Sequence, residues 1–389
     1  MRLIELLPPL LTDEELLKAL EKYPTFIKPI SLTKSLRLIH TQDLYDVYVP
    51  NAMSVEIYNQ IYLLLLQSCL RKDEGLLFHP SNNDSALVCG IAGIGKSEAI
   101  ARISEVLFPN RFLELDNPYK RIIPILVVEV STIGSFKSFL INVLYSIDRM
   151  IGTNYGNANN KTNVTTDELL IATSKGLNAH VLLVVIEEMN FINDGNRAYS
   201  FSNQIVALIN IINVSILFVA TPKALSFFSS SDYLARRALG KVYRELNYEE
   251  FEMLADKLFI YNYTLKEPNV DGELMRYLYK TTGGLPSLLK QVISEAMVVA
   301  ITTGYERLDI ASIKKAIENK LTPMEPYLKN DLVVKHQKSI DEKAVINAVL
   351  DADGKCIELF ARAAKIANKD TKNVINYIKQ YINIEEIEI

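Results

Sequence analysis

Residues Gly90 to Ser97 read Gly-Ile-Ala-Gly-Ile-Gly-Lys-Ser, a G-x-x-x-x-G-K-S run set between an apolar stretch (Ala86, Leu87, Val88, Cys89) and an amphipathic one that begins near Glu98. This run restricts the fold tightly, because a strand, a glycine-rich turn and a helix must follow one another in that order. Glycines let the backbone wrap so that successive N–H groups face phosphate oxygens, and the helix that follows offers its positive end. Gly90, Gly93, Ile94, Gly95, Lys96, Ser97 and Glu98 are therefore the expected nucleotide-binding residues. Lys96 is placed to reach the β- and γ-phosphates, and the Ser97 hydroxyl to ligate Mg²⁺. The run implies binding of a nucleoside triphosphate.

Beyond the loop, helical and buried-strand patterns alternate: helix 97–107, strand 122–130, helix 135–150, strand 181–187, helix 199–212 and strand 215–220. Strands without polar alternation, separated by helices, predict a central parallel sheet flanked by helices on both faces. The Asn-, Thr- and Gly-rich stretch Asn154 to Thr166 reads as a loop that interrupts this winding. Strand signals end near residue 245. The expected organisation is an N-terminal extension over 1–53, suited to a partner, and an α/β nucleotide-binding domain over 54–244. A helical lid over 245–325 and a small helical C-terminal segment over 326–389 complete it. In that last segment three short helices at 344–350, 356–367 and 371–381 can form a helix-turn-helix, with Lys372 and Lys379 on the third, or a docking tail. The 49% apolar content predicts sizeable cores, and a net charge of -4 neither supports nor excludes nucleic acid. Cys69, Cys89 and Cys356 stand far apart without a C-x-x-C pair, which points to a reducing compartment and to buried apolar roles. No apolar run approaches the roughly 18 residues that span a bilayer, and Glu5, Pro8 and Pro9 break any signal-peptide core, so a cytoplasmic protein is expected.

The strand Val181 to Ile186 ends in Glu187 and Glu188, a Walker B arrangement. The first carboxylate can meet the Mg²⁺ shell and the second can orient and polarise the attacking water. Asp is usual at the first place. The longer Glu187 can still reach the metal through a water, and slow hydrolysis is expected. Thr221, at the tip of strand 215–220, is the candidate sensor of the γ-phosphate. Asp232 to Arg237 starts a helix carrying Arg236 and Arg237, the kind of group that in ring ATPases reaches the neighbouring subunit's site. Gly283-Gly284-Leu285-Pro286-Ser287 opens a lid helix, the place of a second sensor. The arginine often found there is absent, and Lys290, one turn on, is the candidate in its stead.

Phosphate loop, acidic strand end, threonine, paired arginines and helical lid, in that order, resemble the AAA+ ATPases. Glu129 to Leu140, Asp148 to Tyr155, Ala220-Thr221-Pro222-Lys223-Ala224, Ala235-Arg236-Arg237 and Leu321 to Leu328 are similar to segments of TnsC/TniB-type transposition regulators, and the likeness covers roughly residues 55–330. The resemblance implies an ATP- and Mg²⁺-dependent homo-oligomer, ring or filament, that assembles on double-stranded DNA without reading its sequence. It would link a target-selection protein to a transposase and be reset by hydrolysis. In that picture Ser135 and Lys137 contact the DNA backbone, with Thr165, Thr166 and Arg197 in loops opening on the same side. Two other classes share part of the signature. One is a STAND-like signalling or defence switch, suggested by the Gly-Gly-Leu-Pro lid turn. The other is a small-molecule kinase, for which the carboxylate and arginine pairs are unexpected.

Overall fold

The computed structural model describes residues 2–74, 85–116, 119–130, 135–159, 163–189, 195–229 and 232–320. Met1–Thr322 fall in one compact unit. The three helices expected between 344 and 381, Cys356 and the Pro323-Met324 pair lie outside the described residues.

The chain opens with α1 (Asp13–Leu20), where Thr12 and Glu15 form a capping box, followed by α2 (Lys34–His40) and the long α3 (Ala52–Glu74). This N-terminal segment is fastened to the rest of the unit. Leu16, Leu20, Leu44 and Val47 are buried. Asp73 accepts the N–H groups of Leu3 and Ile4 at 2.7 and 3.0 Å. Lys22 and Tyr48 exchange backbone hydrogen bonds in an isolated antiparallel bridge.

The α/β core then follows: β1 (Ser85–Gly90), α4 (Lys96–Leu107), β2 (Leu113–Asp116), β3 (Tyr119–Glu129), α5 (Phe136–Ile151), α6 (Tyr155–Asn159), α7 (Thr166–His180), β4 (Val181–Glu187), α8 (Gly195–Ile211), β5 (Ser215–Ala220), α9 (Leu225–Phe228), α10 (Asp232–Arg237) and β6 (Gly240–Tyr243). The six strands lie in the order β2-β3-β4-β5-β1-β6, with every neighbouring pair parallel except β2 and β3. One face of the sheet packs Val184, Ile186, Ile216 and Phe218 against Phe139, Leu140 and Val143 of α5 and Leu177 of α7. The other is covered by α3 and α4, whose Ile57, Ile61, Leu65, Ile100 and Ile103 are buried.

Two features depart from the sequence reading. The sheet is not purely parallel, since β2 joins antiparallel, and β2 and β6 carry no sequence signal. Both are four-residue edge strands, half open to solvent, so selection for an apolar run is weak. The polar stretch from Asn154 to Thr166 does not interrupt the winding either. It holds α6 and leads into α7, which completes the crossover from β3 to β4.

Among the described residues the lid comprises α11 (Tyr248–Ile260), α12 (Gly272–Thr282), α13 (Pro286–Thr303) and α14 (Ile310–Lys320). Pro286 sits where a helix tolerates proline, at its first turn, and thus fixes where α13 starts. No helix of the described residues is long and apolar enough to cross a membrane.

Candidate nucleotide-binding site

The site lies at the C-terminal ends of β1, β4 and β5, where loops of a parallel sheet converge. Gly93 and Gly95 adopt φ of +86° and +96°, left-handed conformations that a side chain disfavours, and these turn the backbone from β1 into α4. Lys96, 8% exposed, donates to the carbonyls of Gly90 at 2.7 Å and Ile91 at 3.0 Å, so its ammonium is held beneath the loop. Burial pushes its pKa below the ordinary lysine value, and Glu187 and Glu188 are among the groups that pull it back.

Across the loop, Glu187 closes β4 and faces the Ser97 hydroxyl in the same cavity. Burial raises its carboxyl above the usual range, the neighbouring Ser97 hydroxyl lowers it, and Glu129, its register partner on β3, raises it again. Glu188 follows at φ +59°, a strained conformation for a residue with a Cβ, which turns its carboxylate out of the strand direction. Lys96, Ser97, Glu187, Glu188, Ala220, Thr221 and Ser287 share one cavity of about 240 Å³. The donors fit a magnesium-bound triphosphate: a hydroxyl and a carboxylate meet at one point and a cation lies beside them. Among the described residues there is no group of three or more His, Cys, Asp or Glu side chains that could hold a metal ion.

A second cavity of about 370 Å³ lies beside the first, walled by the N-terminal segment, the phosphate loop and the lid. Tyr48, Val49 and Pro50 line it from one side, Met253 and Leu254 of α11 from another, and Ile94 from the loop. From sequence, the Tyr48-Val49-Pro50-Asn51 stretch belongs to the N-terminal extension over 1–53. A local signal was available, since Pro50 forces Val49 extended just before the α3 start. Lys290 also faces this cavity. Its ammonium, on a side chain 6% exposed, pairs with Glu98 at 2.8 Å and lies 3.5 Å from the Tyr45 carbonyl.

The other expected residues are dispersed. Arg237 donates to Asn210 Oδ1 at 2.8 Å within its own subunit, whereas Arg236 is exposed on the short α10. Ser135 and Thr165 are helix caps, accepting the N–H groups of Ser138 and Glu168, and Thr166 is the first residue of α7. Lys137 donates to the Val164 carbonyl at 2.6 Å, which brings the starts of α5 and α7 together. Arg197 falls in the first turn of α8, and its side chain lies outside the described residues.

Several solved structures resemble this one. The Aeropyrum pernix ORC2 protein, in ADPNP-ADP complexes, is 16% identical with a TM-score of 0.45, over 67% of this chain and 66% of that one. Domain III of the Thermotoga maritima replication initiation protein DnaA is 14% identical with a TM-score of 0.43, over 70% and 94%. The Aeropyrum pernix ORC1 protein in complex with DNA is 11% identical with a TM-score of 0.47, over 85% and 79%. No curated protein matches the chain. Residues 61–241 match the family described as "Bacterial TniB protein". That segment carries the phosphate loop, both carboxylates, Thr221 and both arginines, and over it the chain is similar to the TniB family.

Proposed function

We propose that this chain is an ATP-dependent regulator of transposition that oligomerises on target DNA, links a target-selection factor to the transposase, and is reset by hydrolysis. The observation that carries the reading is the Ser97–Glu187 contact, with Lys96 below it and Glu188 turned into the same cavity, inside a segment that matches the TniB family. Ser97 and Glu187 would hold Mg²⁺, which neutralises phosphate charge when bound. Lys96 orients the triphosphate, Glu188 accepts a proton from the attacking water, and Thr221 reports on the terminal phosphate. Arg236, exposed and ahead of the edge strand β6, is the arginine that reaches a neighbour's site; Arg237 holds α10 to Asn210.

DNA contact is supported by the pairing of two helix starts. β3 and β4 are parallel, so α5, which follows β3, and α7, which precedes β4, both begin at the edge of the sheet that carries the nucleotide site. Their N-termini and the Lys137 ammonium together suit a backbone phosphate and carry no base preference. A second reading, a ligand-triggered switch NTPase, is favoured by one observation: Pro286 of the Gly-Gly-Leu-Pro turn lines both cavities. The deciding experiment mixes the protein with double-stranded DNA and a non-hydrolysable ATP analogue and inspects it by negative-stain microscopy. Rings or filaments on DNA are expected, and assemblies that form equally without DNA would overturn the transposition reading.

A further inference from the structure

The two cavities touch through three residues only: Gly95, Glu98 and Pro286 line both. Phosphates belong to the smaller cavity, with Lys96, Ser97 and the carboxylates. The larger one, walled by Val49, Ile94, Met253 and Leu254, is the apolar space suited to a base. A nucleotide that spans them must pass its sugar through the junction, because the ribose is what joins phosphate to base. Gly95 has no side chain and Pro286 offers only an apolar ring, so the polar side chain at this point is Glu98.

Glu98 is held in place. Lys290 binds its Oε1 at 2.8 Å, and Lys290 is in turn buried against the Tyr45 carbonyl, so the carboxylate is anchored from the lid and the N-terminal segment together. The Glu98 side chain remains 37% exposed. A carboxylate that presents an oxygen to a sugar accepts hydrogen bonds from hydroxyls, which is how an acidic residue selects a ribose in dinucleotide-binding folds. The same geometry explains Lys290. It lines the base cavity and not the phosphate cavity, so its role is to fix Glu98, not to touch phosphate.

We infer that Glu98, oriented by Lys290, is the ribose-selecting group of this site, accepting a hydrogen bond from a sugar hydroxyl and so favouring ribonucleotides over deoxyribonucleotides. The inference rests on the nucleotide-binding reading above. Its consequence is that the lid would report the sugar and base of the ligand through Glu98, and that closure would depend on the nucleoside as well as the phosphates.

The test measures equilibrium binding of ATP, 2′-deoxy-ATP and 3′-deoxy-ATP to the full chain by titration calorimetry, with Lys96→Ala as a control and thermal melts to confirm folding. Wild type is expected to bind ATP about tenfold more tightly than at least one of the deoxy analogues, the value of one hydrogen bond to a charged group. Glu98→Gln keeps the shape of the side chain and should lose most of that preference, with the weakened ATP approaching the deoxy analogue. Lys290→Met should lose it in part, because Glu98 stays but is no longer oriented. Equal binding of all three nucleotides by wild type, still abolished by Lys96→Ala, would overturn the ribose inference and leave the nucleotide reading intact. No binding of ATP by folded wild type would instead overturn the nucleotide reading itself.

Discussion

Glu188 shows how one residue can be legible in type and opaque in conformation. Two carboxylates after an apolar strand mark the acidic half of a triphosphate site, but only the backbone reveals that Glu188 sits at φ +59°. Strain of that kind costs on the order of 1 kcal/mol or more and persists where the surroundings enforce it. Glu188→Gln is expected to slow phosphate release by about 100-fold or more while nucleotide binding survives, the usual contribution of a positioned base. Unchanged turnover would remove Glu188 from that role. Glu188→Gly should be equally inactive yet gain about 1 kcal/mol of stability in denaturant melts, because glycine adopts the turn freely. Lys290 makes the complementary point. Its charge and its place one turn into α13 suggest nucleotide contact as a second sensor, and its pairing with Glu98 depends on a residue 192 positions away.

At the scale of elements, the decisive contact is between the start of α13 and the phosphate loop. Ser287 N–H donates to the Gly93 carbonyl at 3.2 Å, and a Cβ on Gly93 would lie 2.3 Å from Ser287 Oγ. The lid helix therefore rests on the loop that takes the phosphates. Gly93→Ala adds both that collision and the penalty of φ +86°, and should weaken nucleotide binding by at least about tenfold in titrations. Binding unaltered by this change would show that the lid can lift away at no cost. A second joint ties α2 to the lid: Arg37, 5% exposed, grips Glu306 through both carboxylate oxygens at 2.6 and 3.0 Å. Arg37 holds the Glu306 carboxyl below its usual pKa, so the stabilisation is complete above the ordinary carboxylate range and is lost as pH falls through the lower folded value. Glu306→Gln should cost about 3 kcal/mol at neutral pH, the cost of stranding one partner of a buried pair. In urea melts the gap from wild type should narrow below about pH 4, where a free carboxylate takes up its proton. A gap that stays constant into acid would mean the ion pair contributes nothing.

For the whole molecule, the question is whether one chain completes its own site. Arg237 is committed to Asn210, while Arg236 is exposed. Mixing Arg236→Ala subunits with Lys96→Ala subunits should therefore recover part of the turnover that each lacks alone, since hybrid interfaces unite an intact loop with an intact arginine. Absence of recovery would assign Arg236 a role within its own subunit. Arg237→Ala should behave differently and lower the melting temperature, because it removes a fastening of α10 to α8. The N-terminal segment matters at this scale too, since it packs on α4 and α13 at once and supplies one wall of the larger cavity.

The sequence by itself determined what local chemistry can encode. The order strand, glycine turn, Lys96-Ser97 and helix fixed the phosphate loop; the apolar runs fixed β4 and β5, which are buried along their full length; the Thr12 box fixed where α1 begins. Such features are legible because each depends on residues a few positions apart, through backbone torsion, periodic burial or a capping hydrogen bond. Tertiary structure decided the rest. That β2 runs antiparallel, that Tyr48 to Pro50 wall a cavity with Met253, and that Lys290 meets Glu98 follow from packing between distant segments. Those contacts are specified by the summed fit of many side chains, so no short stretch of sequence carries them.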